Sequence, residues 1–79
     1  MSRYFFELHN GDGLTRDLEG LELPTRETIL NEISRVMLDV AREEIPERET
    51  GAVSVIVRNE AGQVISVANL TFSNRWLEV

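Results

Sequence analysis

The sequence predicts an α+β fold: an antiparallel sheet of about four strands in the order β-β-α-β-β, with one amphipathic helix packed on one face. Three observations carry this. Apolar and polar residues alternate at period two over 4–9 and again over 53–58. One apolar stripe of helical period runs from Ile29 to Ala41. Two segments that begin with Asn and end with Gly, Asn10-Gly11-Asp12-Gly13 and Asn59-Glu60-Ala61-Gly62, mark chain reversals.

In the first strand Tyr4, Phe6 and Leu8 alternate with Phe5, Glu7 and His9, all within a β-favouring, aromatic-rich stretch. The first set is expected to fill the core and Phe5 to face the other side. After the Asn10 to Gly13 turn, residues 14–23 read as one short return strand with a bend at Gly20. Pro24-Thr25 opens the helix, with Thr25 as N-cap and Glu27 at the positive end of the macrodipole. Thr rather than Glu or Gln at position 28 leaves the capping box incomplete on this reading. Ile29, Leu30, Ile33, Val36, Met37, Val40 and Ala41 form the apolar stripe, and Leu38 falls outside it. Pro46 is expected to stop the helix near Glu44, with residues 47–51 as a charged connection. Val53, Val55 and Val57 then define the third strand, and residues 63–72 the fourth. There Val64, Ala68, Leu70 and Phe72 share one parity and Ile65 and Val67 the other. Trp76 and Leu77 lie in a short tail, large enough to bury substantial area by docking.

Seventy-nine residues suit a single domain, 1–79. A domain this small buries only about 60% of its unfolded surface. Cysteine is absent and no Cys/His cluster exists, so disulfides and structural zinc do not reinforce the fold, and self-association remains the candidate. Fourteen acidic against eight basic side chains, all of the latter arginine, give a net charge of −6. That balance argues against direct nucleic-acid binding, which is built on a cationic face. No apolar run approaches the roughly 20 residues of a membrane span, and no secretory signal is present, so a cytoplasmic protein without membrane contact is expected.

His9, Asp12 and Asp17 are the residues from which a proton relay or metal site could be built. A lone histidine before a turn is more simply a polar strand terminus. An EF-hand loop starting at Asn10 fails because Leu14 and Thr15 stand where an oxygen ligand and a glycine are needed. No nucleophile order and no phosphate-binding glycine loop followed by lysine occurs. The reading is therefore non-enzymatic, with no catalytic, cofactor or metal residues and no small-molecule ligand. One helix covers one face of a sheet only. Apolar residues expected on or near the uncovered side, Phe5, Ile56, Ile65 and Val67, together with Trp76, form the candidate interface for a homodimer or another protein.

Arg3-Tyr4-Phe5-Phe6-Glu7-Leu8-His9-Asn10-Gly11, followed by Asp17-Leu18-Glu19-Gly20-Leu21-Glu22-Leu23-Pro24, resembles a family of small uncharacterised proteins from rhizobia and related alphaproteobacteria. Its members open with a YFF-acidic-LH-acidic/Asn-G motif, continue with D-x-E-G-x-x-L-P and close with a valine-rich hairpin around an acidic-Ala-Gly turn. The resemblance spans nearly the whole chain and implies an intracellular bacterial domain of unknown function. Asn10 stands where the family motif commonly has aspartate. The layout alone is similar to that of HicB-type antitoxins, which implies as an alternative an acidic antitoxin neutralising a basic RNase.

Overall fold

A computed structural model describes residues 2–78. The elements are β1 (Ser2–Asn10), β2 (Gly13–Thr15), β3 (Leu21–Leu23), α1 (Arg26–Arg48), β4 (Thr50–Arg58) and β5 (Val64–Ser73). The sheet is antiparallel and runs β2-β1-β4-β5, with β3 on the same edge of β1 as β2. This is the expected α+β arrangement with five strands.

β4 is the centre of the molecule. β1 pairs with it through Phe6↔Val57 and Leu8↔Val55, and β5 pairs along its whole length. Its alternating valines, Val53, Val55 and Val57, are fully buried. Ile29 and Ile33 of α1 close over Val55 and Val57, with Tyr4, Phe6, Leu8, Leu23, Val36, Met37 and Ala68 around them. Burying each valine contributes about 1.5 to 3 kcal/mol, so this one strand supplies much of the drive to fold. Leu38 is exposed, as its place outside the stripe implies, whereas Leu30, expected within the stripe, is 60% exposed at its margin because Ile29 and Ile33 already fill the contact with β4.

Four details depart from the sequence expectations. First, residues 14–23 form two short strands instead of one. β2 meets Leu8 to Asn10, β3 meets Ser2 to Tyr4, and between them the side chain of Asp17 accepts the Phe6 N–H at 3.1 Å. A carboxylate thus stands where the ladder would have placed a backbone carbonyl.

Second, α1 continues through Pro46 to Arg48. The bond lost is the one to the carbonyl of Arg42, an exposed residue that water can reach. The last turn is held by Arg48 Nε on Glu44 Oε2 at 2.8 Å and by the Glu49 N–H on the Ile45 carbonyl at 3.3 Å. The charged connection shrinks to Glu49, whose φ of 59° turns the chain directly into β4.

Third, the capping box is complete. Thr25 Oγ1 accepts the Thr28 N–H at 3.2 Å, and Thr28 Oγ1 accepts the Thr25 N–H at 3.2 Å, because a hydroxyl is an acceptor as well as a donor.

Fourth, a register shift opposite Val57 and Arg58 pairs Val57 with Ser66 and Arg58 with Val64, leaving Ile65 as the extra residue. Ile65 therefore lines a cleft with Arg26, Ile29, Leu30 and Ile33 on the helix side, and Val64 pairs on the uncovered side. The expected parities of both residues are reversed. The Asn59 to Gly62 turn forms as expected, with Gly62 at φ 82° and Asn59 Oδ1 accepting the N–H groups of Ala61 and Gln63. No helix among the described residues is long and apolar enough to cross a membrane.

Candidate functional site

The face of the sheet that α1 leaves uncovered is ruled by register into three rows: Phe5–Arg58–Val64, Glu7–Ile56–Val67 and His9–Ser54–Asn69. Its centre is a carboxylate. The Glu7 side chain is 12% exposed, with His9 Nε2 3.3 Å from Oε2, Arg58 Nη2 3.8 Å from Oε2 and Arg16 Nε 3.9 Å from Oε1. The two guanidinium contacts are ion pairs longer than a good hydrogen bond, so Glu7 acts mainly as a charge that draws three side chains over the sheet. Arg58 is fixed further by donating through Nη1 to the Gly62 carbonyl at 3.1 Å. Beside it, a cleft of about 230 Å³ opens between Phe5, Leu18, Arg58 and Glu60.

Of the five candidate interface residues, three share this face. Val67 is 56% exposed, Ile56 is half-buried next to Glu7, and Phe5 lies in the cleft wall. The ring of Phe5 is packed so closely against Gly20 that a Cβ there would come within 2.8 Å of it. Ile65 is on the helix side, as above. Trp76 is 79% exposed in the tail, where its indole N–H donates to Glu49 Oε1 at 2.7 Å. It does not dock on the core. The surface is thus a mixed face, apolar along Ile56 and Val67 and charged around Glu7, rather than the flat apolar one expected.

His9, Asp12 and Asp17 do not converge. His9 is engaged with Glu7, Asp12 pairs with Arg48 at 3.1 Å, and Asp17 faces backbone. Among the described residues no group of three or more His, Asp or Glu is arranged to hold a metal ion. Asp17 accepts the N–H groups of Phe6, Glu19 and Gly20 at 3.1, 3.1 and 3.0 Å. Burial is the largest single influence on its carboxyl and raises its pKa. The three amide hydrogen bonds and the Arg3 guanidinium together outweigh it and hold the group below its ordinary value.

On the other side of the sheet, Arg48 lies over Gly11, where any Cβ would collide with its guanidinium, and links Asp12 to Glu44. Glu44 is buried and its Oε1 has no partner. Glu43 and Glu47 complete the acidic wall of this second cleft. Glu7, Arg58 and Glu44 were invisible to motif reasoning. The one signal available was their spacing: Glu44 and Arg48 stand four apart on a helix, and Glu7 sits on the same strand parity as Phe5 and His9.

No curated protein and no solved structure matches the chain. The sequence profile of the domain of unknown function DUF6894 matches residues 3–71, which takes in both edges of the sheet, the helix and the whole Asp17 loop, and the chain belongs to that family.

Proposed function

We propose that the protein is a non-enzymatic protein–protein interaction module of the bacterial cytoplasm, and that it acts through the uncovered sheet face. The observation that carries this reading is the row Ile56–Val67, apolar and accessible on a face that no element of the chain covers among the described residues. Exposed apolar surface rimmed by charge is the usual form of a contact surface. Affinity capture from cells of the source organism tests it, with the wild-type chain compared with the double variant Ile56→Glu, Val67→Glu. A protein held by the first and lost by the second is the expected result; identical capture by both overturns it. Fractionation that recovers the protein outside the cytoplasm overturns the assignment of compartment.

A second reading, an acidic antitoxin of HicB type that neutralises a basic RNase, draws support from the cleft of Asp12, Glu43, Glu44 and Glu47. Coexpression with the product of the adjacent gene tests it; a neighbour that is harmless and fails to co-purify removes it.

A further inference from the structure

The turn that ends β1 brings a carboxamide, an unhindered backbone nitrogen and a guanidinium together. Of the five asparagines only Asn10 is followed by glycine; Asn31, Asn59, Asn69 and Asn74 are followed by Glu32, Glu60, Leu70 and Arg75. Asn10 Oδ1 accepts the Asp12 N–H at 2.9 Å. A side chain bonded to the amide two residues on is folded back across the peptide between, so the Asn10 carboxamide lies over the Gly11 nitrogen. No side chain at position 11 screens that nitrogen, and neither the Gly11 N–H nor Asn10 Nδ2 makes a hydrogen bond among the described residues. The Arg48 guanidinium, held by Asp12 at 3.1 Å and by Glu44 at 2.8 Å, occupies the place that a Cβ of residue 11 would need. The Asp12 amide therefore polarises the Asn10 carbonyl, and the cation beside Gly11 favours loss of the amide proton.

We infer that Asn10-Gly11 is a self-modification site, at which the folded turn, with Arg48 over it, converts the Asn10 carboxamide to a carboxylate. The Gly11 nitrogen gives its proton to hydroxide and attacks Asn10 Cγ. The new C–N bond closes a five-membered imide, and the carbonyl electron pair moves to Oδ1, where the Asp12 N–H holds it. The pair then returns and expels Nδ2, which takes a proton from water and leaves as ammonia. Water next opens the imide at either of its carbonyls, returns a proton to the Gly11 nitrogen, and leaves aspartate or isoaspartate at position 10. The overall change is amide plus water to acid plus ammonia, with no other reagent.

The second turn of the molecule is a built-in comparison. Asn59 Oδ1 accepts the Ala61 N–H at 3.0 Å in the same folded-back arrangement, but Glu60 sets a Cβ and a carboxylate beside the nitrogen, and Asn59 Nδ2 donates to Gln63 Oε1 at 2.9 Å. There the nitrogen is screened and the amide is tied down. Conversion at Asn10 has two consequences for the fold. A carboxylate at position 10 adds a negative charge to the cleft that already holds Asp12, Glu43, Glu44 and Glu47. Isoaspartate also lengthens the backbone by a methylene group at the Asn10↔Gly13 pair, the rung of β1 with β2 nearest the turn, and so slackens the seal on the outer edge of β1.

Peptide mapping by mass spectrometry tests this on the native chain held at mildly alkaline pH, beside the same chain unfolded in urea and the variants Arg48→Gln and Arg48→Lys, whose folding is checked by circular dichroism. The expected result is aspartate and isoaspartate at position 10 with release of ammonia. Native Asn10 converts at least about tenfold faster than native Asn59, and no more slowly than Asn10 of the unfolded chain. Arg48→Gln slows the native conversion about tenfold, and Arg48→Lys, which keeps the charge, restores it. A native Asn10 that outlasts Asn10 of the unfolded chain overturns the inference, because the fold then shields the turn. So does an Asn59 that converts as fast as Asn10, and so does a folded Arg48→Gln chain that converts at the wild-type rate.

Discussion

Along the outer edge of β1, β2 takes up Leu8 to Asn10, β3 takes up Ser2 to Tyr4, and the carboxylate of Asp17 takes the Phe6 N–H between them, while the outer edge of β5 meets nothing among the described residues. Both edges belong to strands of similar length, nine and ten residues, so length is not what separates them. The difference lies in local chain chemistry. The segment after β1 folds back over it and carries an aspartate, while the segment after β5 runs on as a tail. A sheet finished in this way is directional: one edge is sealed by its own sequence and the other has no strand beside it among the described residues.

The largest test of the contrast is Asp17→Ala. It removes the acceptor of three amides at once and should lower stability by about 2 to 3 kcal/mol, read from the urea midpoint. A loss below about 0.5 kcal/mol would mean that water seals the β1 edge as well as the carboxylate does. Next comes Gly20→Ala. Gly20 has φ 73° and faces the Phe5 ring and the Arg3 side chain, so alanine is both strained and crowded, at about 1 to 2 kcal/mol.

A pH series sharpens the same point. The folded Asp17 carboxyl is held below its ordinary value of 3.8, so the stability it contributes is fully present above that value and is lost as pH falls through the folded one. The stability gap between wild type and Asp17→Asn should therefore be constant near neutrality and narrow below pH 3.8. Thr28→Val, away from either edge, tests the reciprocal helix cap at about 0.5 to 1 kcal/mol. The smallest effect belongs to the open edge. Thr71→Lys on β5 should change the stability, read from the urea midpoint, by no more than about 0.5 kcal/mol, because the side chain it replaces is exposed.

Much of this architecture is legible in the chain. The alternation of Tyr4, Phe6 and Leu8 and of Val53, Val55 and Val57 places two strands on the right faces, and the stripe from Ile29 to Ala41 places the helix. What escapes is whatever depends on one group reaching far from its own position. Asp17 bonds an amide eleven residues back, which no periodic pattern encodes. The bulge at Ile65 inverts the parity of Val64 and Ile65, and a strand apolar on both faces gives no warning of it. Pro46 is a sound stop signal in general, overridden here by a final turn tied down through Arg48, Glu44 and Glu49. The candidate face was legible in part: Phe5, Ile56 and Val67 share it, but the central Glu7 and its cations emerge only when strands β1 and β4 and the loop are brought together.

The chain has a single tryptophan, and it sits just past the end of β5, exposed and tethered to Glu49. All indole fluorescence of the protein therefore comes from one corner, the corner where the Arg75 end of the open edge lies. In the free chain that emission is set by water. Any strand or partner that covers the corner changes the colour, the quenching by iodide and the anisotropy of one fluorophore, with no label attached, while unfolding of the core, which the indole does not touch, is read separately by circular dichroism.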